Sequence, residues 1–520
     1  METIVSYFKN DQLSQRATYL LLFLFSFGVD RSFGYCLRIF YPLTLLFILL
    51  LLLQFVRPLY RIVIVALTLI SALYFPIGRL FGDPSYNALV SAVYTNPEEA
   101  QGFLKTIPIS YYFGSFVLLL LGIIGLRRRL TVPFKQGHTV FMLVFVLTSI
   151  FYKPIKQVIV KGIFEITEIG FTPVRFSREL YQVAHSIYDD HKKIKTSLAI
   201  KDTWNVISAT PKYQNYILVI GESERKDLRH NYGFSIKNTP FATATNGIFF
   251  DNYLSAGPST VLSLTNTLAK RHENGLQLHN NVISLAKKAG FYTYWISNQH
   301  YLGEHDTPIS VIGKRADSPL FVKMVDPVRF GNAKDTVLLP FIQSALADTT
   351  TTKPKLIVVH LIGSHPPCRD RTDGQFDAYF YSKTLSCYIQ SIRNTDQLLE
   401  NMTHSAKSTG DSWSLLYFSD HGLALLKNDV FGHSDRYQEN YRVPLFITSS
   451  NDIKQERITA YRSGLHFLTL FSQWSGIQEP SLQSGCHYLS NTPCQDQTSI
   501  ILANRTRTDI SSLALNPIKD

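Results

Sequence analysis

Asp420 and His421 put a carboxylate beside an imidazole at the end of Ser414–Gly422, SLLYFSDHG. A hard oxygen ligand next to an imidazole nitrogen suits a divalent metal such as zinc. The preceding run, Leu415–Phe418, is short and mostly apolar. It suits a buried strand, although a buried helical turn fits the same periodicity. Two other segments share this pattern. Ile217–Ile220 runs into Gly221-Glu222-Ser223, and Leu356–Leu361 runs into Ile362-Gly363-Ser364-His365. In open α/β sheets, ligands sit beyond the carboxyl ends of the strands. A single Asp-His-Gly reads equally well as a loop with a capping Asp. Three apolar runs that each end in a metal-type side chain argue for a shared site. His360 lies inside its run, before Leu361, and reads as a core histidine rather than a ligand.

Ser255–Thr267, SAGPSTVLSLTNT, supplies a different chemistry. Gly257-Pro258 is a turn signal, and Pro is at home in a helix's first turn. Val261, Leu264 and Leu268 recur at helical spacing. Ser259 and Thr260 therefore belong at a helix amino terminus, where backbone N–H groups and the dipole favour an anion. Plain capping would explain either hydroxyl alone. Beside a metal, which lowers the pKa of a bound hydroxyl, one of them becomes a nucleophile.

The elements that must position these residues fall in two halves. The chain has 520 residues, and its long apolar runs lie in the first third. Ala17–Val29, Phe40–Val56, Ile62–Ile77, Tyr111–Leu126 and Thr139–Tyr152 read as five transmembrane helices whose flanks extend them towards about 20 residues. Ala17–Val29 lacks a small-residue cleavage site, and more spans follow, which disfavours a signal peptide. Arg57 and Arg61, and Arg127, Arg128, Arg129 and Lys135, mark two cytoplasmic loops if the amino terminus is inside. Five spans then place everything after about residue 155 outside, in the periplasm if the cell is Gram-negative; four would reverse this.

The loop of about Phe81–Pro108 is long and aromatic-bearing. Residues 156–204 form a bridge. Phe164, Ile169, Phe171, Phe176, Leu180 and Tyr181 fit anchors on the membrane surface, and an ordinary packed linker fits as well. From about Asn205, helical stretches such as Ser284–Ala289 and Tyr388–Leu399 alternate with apolar strands such as Phe291–Ile296, which argues for a mostly parallel sheet. The formal net charge of +12 comes without a clustered basic face or nucleic-acid motif, so it points to anionic lipid or glycan phosphate. Five cysteines contain no C-x-x-C pair, which argues against a thiolate zinc site. In an oxidising compartment Cys368 with Cys387, and Cys486 with Cys494, could close two local disulfides, leaving Cys36 over.

Taken in order, Gly221-Glu222-Ser223, Ser255–Thr260, Gly363-Ser364-His365, Ser419–Gly422 and Gly432-His433 resemble the bacterial phosphoethanolamine transferases. The resemblance covers essentially the whole chain. Asn238–Phe241, Trp295–Gln299, Lys314–Asp317 and Tyr417–Gly422 are most similar to the branch that decorates osmoregulated periplasmic glucans. It implies a five-helix transmembrane domain over residues 1–155, a bridging segment over 156–204, and a periplasmic α/β/α sandwich of the alkaline phosphatase/sulfatase type over 205–520. The location implied is a bacterial inner membrane.

By the same resemblance, Glu222, Asp420 and His421 hold zinc, and Thr260 is nucleophile and fourth ligand. His365 and His433 are phosphate contacts or ligands of a second zinc. Asn298 or Gln299 touches the headgroup. The implied donor is phosphatidylethanolamine and the implied acceptor a glycan hydroxyl, on a periplasmic glucan or a lipopolysaccharide core or O-antigen sugar. Ala256 stands where the lipid A-modifying relatives carry a disulfide-bonded Cys, which argues against that branch and leaves the site with fewer disulfide braces. Ser255–Ser259 lacks the C/S-x-P-x-R pattern of sulfatases, so sulfate ester hydrolysis is disfavoured. Phosphoglycerol transfer on the same fold and a non-catalytic membrane scaffold are the alternatives. The intact set Glu222, Thr260, Asp420 and His421 argues against the scaffold. The spans also lack the buried ionisable constellation of a transport pathway.

Overall fold

Strands buried on both faces read as continuous apolar runs, because neither face meets water. The runs that end at the candidate ligands are of this kind, and they form the centre of one eight-stranded sheet. Its strands are β1 (Asn215–Gly221), β2 (Gly247–Phe250), β3 (Tyr292–Ser297), β4 (Ser318–Phe321), β5 (Lys355–His360), β6 (Trp413–Ser419), β7 (Leu445–Ser449) and β8 (Gln455–Ile458). Their order across the sheet is β8-β2-β7-β6-β1-β5-β3-β4. The computed structural model describes residues 2–80, 82–84, 104, 107–161, 169–198, 200–272, 275–299, 307–325, 333–426, 429–483 and 485–518.

Strands β6, β1, β5, β3 and β4 pair in parallel, while β7 runs against both of its neighbours. Leu416 lies opposite Leu218, and Ile217 opposite Ile357. Alternate residues then sort to opposite faces. Leu218, Ile220, Leu356, Val358, Leu416 and Phe418 join a core that includes Leu264 and Leu268 of helix α7 (Thr260–Leu268). Ile217, Val219, Ile357, Val359, Leu415 and Tyr417 join a second core with helices α8 (Leu339–Ala347) and α9 (Lys383–Ser408). This is the expected α/β/α sandwich. Each fully buried Leu, Ile or Val contributes about 1.5–3 kcal/mol, so these two cores hold the strand ends in place.

The chain divides into two compact units, Met1–Leu89 with Ile107–Ser186, and Val90–Thr106 with Ile187–Asp520. The first unit contains helices α1 (Glu2–Ser32), α2 (Phe40–Phe55), α3 (Arg57–Leu80), α4 (Ile109–Leu126) and α5 (Gln136–Lys161) at the places of the expected spans. Among the described residues, α3, α4 and Gln136–Lys156 of α5 are long and apolar enough to cross a membrane; α2 is apolar but shorter. Helix α6 (Thr172–Leu198) follows.

The anchor reading of the bridge is corrected in part. Phe171 and Phe176 are buried, and Phe176 stacks on Phe33 with ring centres 4.1 Å apart. Thr172 Oγ1 also donates to Asp30 at 2.5 Å, and Tyr35 donates to Glu179 at 2.6 Å. These side chains are spent on packing the unit; Tyr181 is exposed. Phe164 and most of the loop over 81–108 lie outside the described residues. Cys486 and Cys494 are disulfide-bonded as expected. Cys368 and Cys387 are free thiols, contrary to expectation. The two thiols do face each other closely enough to hydrogen-bond, and each has a further contact, Cys368 Sγ to the Thr384 carbonyl at 3.4 Å and Cys387 Sγ to Thr372 Oγ1 at 3.1 Å.

Candidate active site

Three neighbouring parallel strands end together, and that brings distant motifs to one place. Glu222 follows β1, Asp420 and His421 follow β6, and the Gly363-Ser364-His365 loop follows β5. Ligand atoms of Glu222, Asp420 and His421 all lie within 4.8 Å of one another, and the three residues are buried. His421 Nε2 is 3.3 Å from Glu222 Oε1 and 3.4 Å from Asp420 Oδ2.

Local backbone geometry aims each ligand. Ser223 adopts a left-handed conformation, φ +59°, so the chain reverses directly after Glu222. The Ser223 amide then donates to Asp420 Oδ1 at 3.0 Å, and the His421 amide donates to the same oxygen at 2.7 Å. Asp420 Oδ2 is left buried without a hydrogen-bond partner. Ser223 Oγ donates to Glu222 Oε1 at 2.6 Å. Sequence reasoning gave Ser223 no role. Its positive φ in a non-glycine residue becomes visible only in the backbone.

Thr260 comes from helix α7, which packs on the face of the sheet that carries Leu218, Ile220 and Leu416. Ser259 caps α7 in an extended conformation, and Thr260 is the first helical residue. The Thr260 hydroxyl donates to Glu222 Oε2 at 3.0 Å and lies 3.3 Å from His421 Nε2. Two bonds tie the start of α7 to the β6 side of the site. Asn440 Nδ2 donates to the Pro258 carbonyl at 2.9 Å, and the Gly422 amide donates to the Asn440 carbonyl at 2.7 Å.

The electrostatics of this group call for a cation. Burial pushes the Glu222 carboxyl up, but the hydrogen bond and charge of His421 outweigh it and hold Glu222 well below the usual range. Burial and the charge of Glu222 push Asp420 up. His421 is lowered by burial but raised more by the two carboxylates. Two buried carboxylates therefore compete for positive charge. The Nδ1–H of His421 is directed at the Gly422 carbonyl, 2.7 Å away, which leaves Nε2 facing the carboxylate oxygens, where a metal would take the place of its proton. A fixed tautomer, an orphaned carboxylate oxygen and a neighbouring hydroxyl fit a divalent metal.

The remaining candidates surround this centre. The His433 ring lies 4.7 Å from the His421 ring, its buried Nε2 has no partner, and burial pushes it down to about 3. His365 Nδ1 meets the Pro366 carbonyl at 2.6 Å, and its charge bears on Glu222. Gln299 Nε2 donates to the Leu361 carbonyl at 2.8 Å and reaches Glu222 Oε2 at 3.3 Å.

Asn298 departs from the headgroup reading. It is fully buried, and its amide donates to the Ala333 carbonyl and to Asp335 Oδ1, each at 2.9 Å. With its amide hydrogens spent inside the protein, Asn298 braces the site. His360 sits outside the ligand group, as expected. It is buried near Trp295, and burial pushes it down to about 4.

A second buried polar group lies under the site. Arg229 Nη1 meets Glu224 Oε1 at 2.5 Å, and Nη2 meets Asp396 Oδ1 at 3.3 Å. Tyr417 of β6 donates to Glu224, and the Glu224 amide donates to Ser419 Oγ at 2.9 Å. No motif announced this group: Glu224 and Arg229 are near neighbours in sequence, but Asp396 and Tyr417 join them only in the fold.

Comparisons with known proteins bear on the family and the fold. The sulfatase family model matches residues 214–477. The phosphoethanolamine transferase OpgE of Escherichia coli K12 is 36% identical over 475 residues, covering 90% of each chain. The fold matches the integral membrane lipooligosaccharide phosphoethanolamine transferase A of Neisseria meningitidis at a TM-score of 0.61 and 17% identity, over 92% of this chain and 97% of that one. It also matches the carboxyl-terminal periplasmic domain of Escherichia coli EptC, solved in complex with zinc, at a TM-score of 0.51 and 21% identity, over 60% of this chain and 96% of that one. The match to a full-length membrane enzyme accords with apolar helices preceding a soluble catalytic unit. The chain thus belongs to the sulfatase family and, within it, to the phosphoethanolamine transferase enzymes.

Proposed function

We propose that this enzyme transfers phosphoethanolamine from phosphatidylethanolamine to a glycan hydroxyl, with zinc bound by Glu222, Asp420, His421 and Thr260. The acceptor is a periplasmic glucan or a lipopolysaccharide core or O-antigen sugar. The enzyme sits in a bacterial inner membrane with five spans and its catalytic unit in the periplasm. The observation that carries the reading is the Thr260 hydroxyl, 3.0 Å from Glu222 Oε2 at the first residue of a helix.

Zinc held by Glu222, Asp420 and His421 would lower the pKa of the Thr260 hydroxyl and offset charge on the phosphoryl oxygens. Thr260 Oγ1 attacks the donor phosphorus, the bond to the diacylglycerol oxygen breaks, and diacylglycerol leaves with a proton. The first amides of α7 have no intrahelical partner and favour the phosphoryl oxygens. Gln299 meets the same group from the β3 side. An acceptor hydroxyl then attacks phosphorus, and the Thr260–phosphorus bond breaks. His365 or His433 manages the proton of leaving or entering oxygen. His365 has its Nδ1 engaged by the Pro366 carbonyl, so that work falls to Nε2. Two displacements predict ping-pong kinetics. A membrane anchor suits a donor that never leaves the bilayer.

Mass spectrometry of surface and periplasmic glycans from cells with and without this chain tests the reading, with Thr260→Ala as control. A phosphoethanolamine mass gain on one glycan pool, lost in the variant, names reaction and acceptor together. A phosphoglycerol gain, or no gain on any pool, overturns it.

A further inference from the structure

One carboxylate outside the ligand group is wired into the same loops. Asp335 opens a short 3-10 turn, Asp335–Leu338. Its Oδ1 accepts from the Ile362 amide and from Asn298 Nδ2, both at 2.9 Å, and its Oδ2 accepts from the Gly363 amide at 2.8 Å. The backbone N–H of Asn298 in turn donates to the His360 carbonyl at 2.9 Å. A single carboxylate thereby clasps the segment after β3 to the segment after β5. Three N–H donors converge on its two oxygens, and that geometry is what ties the two segments together.

What the clasp shapes lies against a candidate ligand. Gly363 adopts φ +48°, and a Cβ there would stand 2.8 Å from the Glu222 carbonyl oxygen and 2.9 Å from its nitrogen. The next amide, Ser364, donates to the Glu222 carbonyl at 2.9 Å. The backbone of Glu222 is therefore seated directly on the loop that Asp335 holds. His365 follows on that loop, and Gln299 follows Asn298 on the other clasped segment.

We infer that Asp335 is a positioning residue for the transfer reaction. It fixes the 362–365 loop behind Glu222, and so sets where the Glu222 carboxylate, His365 and Gln299 stand. This rests on the zinc-dependent transfer reading above. Residues that orient a metal ligand through such contacts cost about 10- to 100-fold in metal affinity or activity when changed. Asp335→Asn keeps the shape of the side chain but turns an amide N–H₂ towards an N–H donor, so at least one clasp bond is lost.

The test uses the full-length protein in phosphatidylethanolamine vesicles. Zinc affinity is read by competition with a chelating dye, and kcat and KM are referred to folded, zinc-loaded protein. Asp335→Asn should weaken zinc binding about 10-fold and lower kcat about 10- to 100-fold. The KM for lipid should change by less than about 3-fold, because the clasp does not touch the lipid. A merely structural role would lower melting temperature and yield without moving kcat per zinc-loaded molecule. Asn298→Ala removes the side-chain donor from the clasp and should move both quantities the same way by a smaller factor. If Asp335→Asn does not fold, that variant decides. A folded variant with zinc affinity and kcat within about 2-fold of wild type overturns the positioning role alone. A wild-type protein that neither binds zinc nor transfers the group overturns the role together with the functional reading.

Discussion

The Thr260 hydroxyl and the Glu222 carboxylate meet at 3.0 Å, although they arrive from different elements, one at the start of α7 and one at the end of β1. A threonine that only capped its helix would accept from backbone amides, whereas this hydroxyl donates away from the helix. Thr260→Ala should lower transfer about 10³-fold or more with the fold intact, since it removes the group that forms the covalent bond. Thr260→Ser should keep measurable turnover. Trapping labelled phosphoethanolamine on the wild-type protein, and not on Thr260→Ala, checks both.

Removal of metal should reverse the stability order of two forms of the protein. Metal bound only by the native state stabilises it, so chelation should lower the melting temperature and abolish transfer, and added zinc should restore both. Asp420→Asn should bind less than stoichiometric zinc. In the metal-free state the same variant should melt higher than wild type, because burial and the charge of Glu222 push Asp420 up, and Asn removes that repulsion. Calorimetry of both proteins with and without chelator reads this crossover.

His360 gives stability a pH dependence of definite sign. Burial pushes its folded pKa down to about 4, against about 6.5 in the unfolded chain. The native state therefore binds fewer protons between those values, and stability falls as the pH is lowered through that window. The full shift corresponds to about 3 kcal/mol, reached only near pH 4. His360→Asn cannot take up that proton. Its melting temperature should drop less than that of wild type between pH 7.5 and pH 5.

Arg229 neutralises two buried carboxylates, Glu224 and Asp396, the latter also held by the Phe241 and Ala242 amides at 2.8 and 3.1 Å. Arg229→Met would strand both acids and should destabilise the catalytic unit by about 3–5 kcal/mol. Denaturant unfolding checks the value. Replacing all three by apolar residues together should cost much less, because no uncompensated charge is left behind.

How much of this could be read from the chain depends on how a residue acts. Glu222, Asp420 and His421 were legible because each ends an apolar run that suits a buried strand. Thr260 was legible because a Gly-Pro turn and helical spacing place it. Asn298 and Gln299 were not separable in sequence, since adjacent amides at a strand end point in different directions and the fold alone decides which is spent inside. Asp335 acts through backbone amides, which leave no mark on residue type. Phe171 and Phe176 carry the composition of membrane-surface anchors, yet they are packed by partners such as Phe33, just past the end of α1. Cys368 and Cys387 satisfied the spacing rule for a local disulfide and do meet, but as a pair of thiols: spacing brings two sulfurs together without deciding whether they are bonded.

The central placement of β6, β1 and β5 also bears on how such an enzyme can diversify. Every strand that presents a metal-type residue is flanked on both sides by other strands, while the margins of the sheet, β4 and β8, carry none of the three ligands. Change can accumulate along those margins and in the segments they border without disturbing the chemistry at the centre. A lineage built on this plan can acquire new acceptors while inheriting one reaction unchanged.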